Sequence, residues 1–260
     1  AAWTADPRRT ELMVFADSDG QVTESDETNN TLAVLLPAVM DGTPPEVAGT
    51  QPADGAYQQQ VDRIGVTLSD RYGSIDDTAV IESFTVRADG VPLAGTVTED
   101  QDRFTFTPQN APLAEGSYAV SLTAADTGGN TRSVAFTFTV DNSPPPPPVI
   151  DPVPDKTHSA TLTVRGSREA HAAVLLDGNT VVSRGADTTW QYEAELASGL
   201  NELVFSLEDR AGNRSESVTV QVFFDDIAPQ PVTGLRLDPE GDGRTVHLDW
   251  AGYDETVHGD

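Results

Sequence analysis

"LAEGSYAVSLTAADTGGNTRSVAFTFTVD", residues 113–141, holds two alternating runs on either side of a turn. In the first, Tyr118, Val120, Leu122 and Ala124 fall on every second position. In the second, Val134, Phe136, Phe138 and Val140 do the same. A period of two puts each set on one face of a β-strand and leaves the other face for solvent. Between the runs, "DTGGN" supplies residues that tolerate positive φ and close a tight turn. The stretch therefore predicts a long antiparallel hairpin.

The same grammar governs the rest of the chain. Alternation recurs in "ELMVFA" (11–16), "TLAVLL" (31–36), "IGVTLS" (64–69), "SFTVRA" (83–88) and "RFTFTP" (103–108). It continues in "ATLTVRG" (160–166), "AAVLLDG" (172–178), "ELVFSLED" (202–209) and "SVTVQVFF" (217–224). No segment of about ten residues holds a helical period. Short strands at this spacing read as antiparallel sandwiches.

The hairpin also has a copy. "AADTGGN" (124–130) returns as "LEDRAGN" (207–213), with Asp126 and Asn130 matched by Asp209 and Asn213. A proline-bearing linker follows each copy, "VDNSPPPPPV" (140–149) and "DDIAPQPV" (225–232), and "MDGTPPEV" (40–47) precedes the first. Proline cannot donate to a ladder, so each cluster ends a sheet and stiffens the exit. The five prolines at 144–148 suit a polyproline II segment of about 15 Å. The breaks leave units of about 100 and about 85 residues, the size of an immunoglobulin-like sandwich. Tyr118 resembles the tyrosine corner that opens strand F of that fold, with Leu113 and Gly116 before it. Leu196, Gly199 and Leu200 are expected in the corresponding places of the copy.

Composition narrows the function. Acidic residues number 42 against 15 basic ones, for a net charge of -27, and Lys156 is the one lysine. Such a surface repels nucleic acid and anionic membrane, and neither is expected as a partner. The absence of cysteine removes disulfides, thiolate metal sites and a cysteine nucleophile. No apolar run approaches the ~20 residues of a membrane span, and no signal peptide is visible. The chain opens on "AAWTADPRRT" rather than an initiator Met. It is expected to be a piece of a longer multidomain protein.

Three resemblances follow from these motifs. "TELMVFADSDGQVTESDETNN" with the flanking Trp3 and "LAVLL" is similar, over roughly residues 3–36, to the last third of a CARDB (cell-adhesion-related) domain of bacterial surface proteins. Residues 42–141 and 149–226 resemble bacterial Ig-like repeats, through the Asp-x-x-Gly-Asn turn, the strand after it and the Asp/Pro linker. "PQPVTGLRLDPEGDGRTVHLDWAGYDE" (229–255) resembles the first two strands of a fibronectin type III domain, with Trp250 as the core Trp of the second. The expected fold class is all-β: tandem antiparallel Ig-like β-sandwiches joined by Pro-rich linkers. The expected domains are a CARDB-like end at 1–40, Ig-like sandwiches at 41–143 and 144–226, and incomplete fibronectin strands at 227–260.

Catalytic signatures are absent: no G-x-S-x-G, H-E-x-x-H or phosphate-binding loop occurs. His158, His171, His247 and His258 show no metal-ligand spacing. The acidic "DSDGQVTESDETNN" (17–30) starts like an EF-hand, but Val22 stands at the required Gly and Thr28 at the closing Glu. The EF-hand reading therefore fails on spacing, and a solvated connection whose Asn and Asp side chains form Asx turns is the reading preferred over irregular calcium binding. Trp190 and Tyr192 share one strand face, which reads as core before it reads as a sugar platform.

The strand directions of a seven-strand sandwich give a sharper metal hypothesis. The B–C and F–G loops share a pole with the entry linker. Asp126 and Asn130 should therefore approach Asp41, and "SDRYGSIDD" should bring Asp70, Asp76 and Asp77 to the same end. Likewise Asp209 and Asn213 should approach Asp141 and Asp151. Calcium takes six to eight oxygens, and such junctions offer carboxylates plus carbonyls. An Asx turn closed by Gly explains each Asp-x-x-Gly-Asn without any metal. In large bacterial adhesins of similar Ig-like repeats, interdomain calcium stiffens the rod, and the resemblance implies calcium as the one cofactor to expect.

The expected function is a non-catalytic stalk and adhesion-type module of a secreted or cell-surface bacterial protein. Its partners would be other domains of the same chain and a surface glycan or protein. Two alternatives stay open. One is the module array before an Rhs/YD-repeat polymorphic toxin. The other is a carbohydrate-binding ancillary region of a secreted polysaccharide-degrading enzyme.

Overall fold

A computed structural model of the chain describes residues 41–228, together with four strands at 11–15, 31–35, 236–239 and 246–249. The flanking strands form two antiparallel pairs: β1 (Glu11–Phe15) with β2 (Thr31–Leu35), and β20 (Arg236–Pro239) with β21 (Val246–Asp249). The acidic stretch 17–30 and Trp250 lie outside the described residues, and so does most of the expected CARDB-like and fibronectin-like sequence.

Contacts divide the chain into two units. Residues 1–145 and 208–214 form the first, and 146–207 with 215–260 form the second. The turn 208–214 thus groups with the first unit, although it interrupts the strands of the second.

The first unit contains a sandwich of two sheets. Its strands are β3 (Glu46–Gln51), β4 (Ala56–Gln58), β5 (Ile64–Ser69), β6 (Thr85–Ala88), β7 (Val91–Pro92), β8 (Gly95–Asp100), β9 (Arg103–Pro108), β10 (Gly116–Ala125) and β11 (Thr131–Val140). One sheet runs β3-β5-β9-β8 and the other β4-β11-β10-β6-β7. The hairpin read from residues 113–141 is present: β10 and β11 pair antiparallel from Gly116↔Val140 to Ala125↔Thr131. Its alternating side chains do what a period of two requires. Tyr118, Val120, Leu122, Phe136, Phe138 and Val140 are buried, while Ala119, Ser121, Ala135 and Thr137 face out. From the opposite sheet Ile64, Val66, Leu68, Phe104 and Phe106 close the same core. Each fully buried side chain of this size contributes roughly 1.5–3 kcal/mol.

One element departs from the all-strand expectation. Residues Asp77–Ser83 form a seven-residue helix, α1, between β5 and β6. Asp76 caps it by accepting from the N–H of Ala79, and Val80 is its buried anchor. Two turns of helix leave no period long enough to register in the sequence.

The second unit repeats the plan with strands β12 (Val149–Ile150), β13 (Lys156–Thr157), β14 (Thr161–Ser167), β15 (Ala173–Leu176), β16 (Asn179–Val182), β17 (Thr189–Glu195), β18 (Gly199–Glu208) and β19 (Val218–Phe224). The sheets run β12-β14-β17 and β13-β19-β18-β15-β16. Phe205, Leu207, Val164, Val174 and Val222 are fully enclosed. Trp190 belongs to this core: its ring lies 5.4 Å from that of Phe205, and its Nε1–H donates to the Ser167 carbonyl at 3.3 Å. In the polyproline stretch, Pro145 and Pro148 are buried while Pro144, Pro146 and Pro147 are exposed. A spacing of three is the period of a polyproline II helix.

Candidate functional site

The first repeat's turn is built around Asp126, which is 2% exposed. Its Oδ1 accepts from the N–H of Asn130 at 2.8 Å, and its Oδ2 from Asn130 Nδ2 at 2.8 Å. The Asp126 N–H and Asn130 carbonyl close the turn at 3.1 Å, and Gly129 takes the positive φ of 88°. The side-chain bond from Asn130 holds the Asp126 carboxyl below its ordinary pKa. Backbone N–H groups of Asn130, Gly128 and Gly129 pull the same way, while burial opposes them. Asn130 then reaches backwards: its Nδ2 also donates to the Asp41 carbonyl at 2.9 Å.

Asp41 and Asp70 complete a cluster. One carboxylate oxygen from each of Asp41, Asp70 and Asp126 lies within 4.8 Å of the other two. Asp41 Oδ1 accepts from the N–H and hydroxyl of Thr43, at 2.9 and 2.7 Å. Asp70 Oδ1 accepts from the N–H groups of Tyr72 and Gly73, both at 2.8 Å. The second oxygen of each, Asp41 Oδ2 and Asp70 Oδ2, is buried and has no hydrogen-bond partner. Gly73 makes room for this arrangement, since a Cβ there would stand 2.8 Å from Asp41 Oδ2. The carboxylates of Asp41 and Asp70 are therefore oriented by loop donors on one side and bare on the other, whereas both oxygens of Asp126 are bonded to Asn130.

This donor set fits a hard cation. All ligand atoms are oxygen, and three negative charges converge. Two oxygens bound at about 2.4 Å to one calcium lie at most about 4.8 Å apart, which matches the cluster. A buried carboxylate oxygen without a partner is costly, and a cation satisfies it.

The other acidic residues of the same connection go elsewhere. Asp76 turns its carboxylate to cap α1. Asp77 groups with Glu99 and Asp102 instead of Asp41, and burial followed by repulsion from Glu99, Asp102 and Asp76 raises its pKa. The expectation that Asp70, Asp76 and Asp77 converge is thus corrected by the helix, which redirects the last two.

The second repeat copies the turn and omits the cluster. Asp209 Oδ1 accepts from the N–H groups of Gly212 and Asn213, and Oδ2 from Asn213 Nδ2. Asn213 Nδ2 donates to the Asp141 carbonyl at 2.8 Å, as Asn130 does to Asp41. The residue after strand β5 is Asp70, whereas the residue after β14 is Arg168. Arg168 is 9% exposed and donates to the carbonyls of Ala172, Ser183 and Asp187. Asp151 uses its N–H on the Arg165 carbonyl within the second unit.

The tyrosine corner is present. Tyr118 Oη donates to the Ala114 carbonyl at 2.8 Å and the ring stacks on Phe138 at 5.1 Å; burial, then the charge of Asp89, raises its pKa. In the copy the equivalent position is Asn201 and not Leu200, which is 62% exposed. Asn201 bonds both the N–H and the carbonyl of Ala197, each at 2.8 Å. An offset of 83 maps Tyr118 to Asn201 and Ala114 to Ala197, a signal available in the sequence but hidden by the change of residue type.

Residues 41–140 match the family of bacterial Ig-like domains. The mouse dyslexia-associated protein KIAA0319 homolog is 26% identical over 210 residues, covering 73% of this chain and 19% of the mouse protein. The chain thus spans about a fifth of that relative's length. Among solved structures, the fibronectin(III)-like modules of CbhA from Clostridium thermocellum align with a TM-score of 0.44 and 13% identity, over 70% of this chain and 94% of theirs. The methionine-rich copper resistance protein PcoC from Escherichia coli aligns with a TM-score of 0.34 and 20% identity, over 38% of this chain and all of that one.

Proposed function

We propose that this chain is a non-catalytic stalk segment of a large bacterial secreted or cell-surface protein, in which tandem sandwiches hold other domains at a distance. The bacterial Ig-like assignment of residues 41–140 and the repeated Asp-x-x-Gly-Asn turn support this reading. The module order within it is a CARDB-like end, two Ig-like sandwiches and the start of a fibronectin type III domain. Its partners are the neighbouring domains of the same chain.

Within that role, Asp41, Asp70 and Asp126 hold a calcium ion at the entry of the first sandwich. The observation that carries this is the pair of buried, unpartnered oxygens on Asp41 and Asp70. When bound, the ion supplies positive charge that offsets three converging carboxylates. Asn130, Thr43 and the Tyr72–Gly73 backbone orient those carboxylates; Asn130 also ties the entry residue to the turn. Ordering of Asp41 is ordering of the chain that enters the domain, so the ion acts on the joint.

Isothermal titration of chelator-treated protein with calcium tests this. The expected result is a heat of binding that Asp70→Asn abolishes. Binding unchanged in Asp70→Asn, or no calcium-dependent rise in melting temperature, overturns it.

A further inference from the structure

The two sandwiches differ at one end of an outer face. In the first, Tyr57 on β4, Thr139 on β11 and Ser117 on β10 stand opposite one another in one register row. In the second, the corresponding row across β13, β19 and β18 is Lys156, Phe223 and Leu200. The backbone fixes this match: Gly116 and Gly199, both at positive φ, open β10 and β18 one residue before Ser117 and Leu200. Phe138 and Val140 flank Thr139 and are buried, as Val222 is beside Phe223, so both rows face outward. Two small polar side chains of the first row are thus two large apolar ones in the second. Leu200 is 62% exposed and Phe223 39%, and Ile227, 71% exposed, follows where the chain leaves the sheet.

The first row is in use. Arg210, in the turn 208–214 that groups with that unit, donates from Nη1 to Tyr57 Oη at 3.0 Å. Its guanidinium also lies 5.0 Å from the centre of the Tyr57 ring, a cation–π distance. Arg210 comes later in the chain than the strands it meets, so this row receives sequence that follows its own sandwich. Leu200 and Phe223 stay open among the described residues, and the sequence that follows their sandwich is 229–260.

That segment complements the row. Pro229, Pro231 and Val232 come first and are apolar; Asp238, Glu240 and Asp242 come next. Lys156, the one lysine in a chain of net charge -27, is the cation of the row. In the first row an arriving cation meets a resident Tyr; in the second the cation is resident and the carboxylates arrive. A second copy of the chain is a poorer occupant, because it brings the same net charge and no tether. A short tether holds its segment at a local concentration on the order of millimolar.

We propose that residues 229–260 dock on the Lys156–Phe223–Leu200 row, with apolar contact on Phe223 and Leu200 and a carboxylate of Asp238, Glu240 or Asp242 on the Lys156 ammonium. The docking rests on the stalk role and gives the face on which the next module is seated.

The test is carbodiimide cross-linking of the whole chain, mapped by peptide mass spectrometry. Lys156 is the only side-chain amine, so an amide formed on it reports one point of the surface. The main product is expected to join Lys156 to Asp238, Glu240 or Asp242. The double variant Leu200→Ser, Phe223→Thr gives the second row the residues of the first and should lose most of that product. A circular dichroism melt checks that the variant folds, and the wild-type map locates the segment whatever the variant does. Mixing isotope-labelled with unlabelled chains separates links within one chain from links between two. Links confined to carboxylates of the sandwich itself, links between two chains, or an undiminished yield in the folded double variant would each overturn the docking. The stalk role survives those results, because an undocked segment also spaces domains, so the two fail separately.

Discussion

The two repeats use one turn for two outcomes. Asp126–Asn130 and Asp209–Asn213 share the same internal bonds, and each asparagine reaches back to the carbonyl of an aspartate before its repeat, Asp41 or Asp141. The repeats part company at one position after the second strand. There the first repeat has Asp70, which brings a third carboxylate to the turn and leaves oxygens unpaired; the second has Arg168, whose donors are absorbed by three carbonyls. The Asp-x-x-Gly-Asn turn therefore closes by hydrogen bonds alone, and its asparagine also holds a preceding aspartate carbonyl. What separates a metal candidate from a plain hydrogen-bonded turn is the residue that a different loop places beside it.

Core truncation should give the largest effects and test how separable the units are. Phe104→Ala and Phe205→Ala should each cost about 3–5 kcal/mol, since both rings are fully buried. In a calorimetric scan, each should lower one unfolding transition and leave the other near its wild-type temperature. Concerted loss of both transitions would mean that the repeats do not unfold as separate units.

Calcium should come next. At a free concentration about a hundredfold above its dissociation constant, a ligand of the folded state adds about 2.7 kcal/mol. That increment should appear in the first transition alone and vanish in Asp70→Asn. An equal increment in the second transition would break the contrast between Asp70 and Arg168.

Smaller changes should follow from the two corners. Tyr118→Phe keeps the stack on Phe138 and loses the bond to Ala114, for about 0.5–1.5 kcal/mol. Asn201→Ala loses two bonds to Ala197 and should cost the second repeat at least as much, by urea denaturation.

Acid should act through Asp126. Its folded pKa is depressed, so its contribution is complete above the ordinary carboxylate value near 4. It is lost only as pH falls below that value and through the folded pKa. A stability–pH curve for Asp126→Asn should accordingly meet the wild-type slope above about pH 5 and be flatter below about pH 4. Parallel curves throughout would show that the carboxylate is not preferentially ionised in the fold.

Much of this was legible in the chain. The alternation of residues 116–140 gave the hairpin and its buried face, and Asp126, Asn130 and Asp41 could be placed at one pole from strand direction alone. Asp70 was legible for the same reason, as a residue of the loop that follows a strand at that pole. Three things were not. Two turns of helix are too short to show a period, so Asp76 and Asp77 read as cluster members when one caps α1 and the other faces Glu99. Gly73 matters through what a side chain there would strike, which depends on a loop from a distant part of the sequence. Asn201 replaces a tyrosine with a different chemistry for the same backbone target, and similarity of residue type does not reveal that.

Amide hydrogen exchange of the whole chain, with calcium and with chelator, distinguishes calcium at the first repeat's turn from calcium at both turns or at neither. Calcium should slow exchange at Thr43, Tyr72, Gly73 and Asn130, whose N–H groups are bonded to the three carboxylates, and leave Gly212 and Asn213 unchanged. Equal protection at both turns, or none at the first, would contradict it.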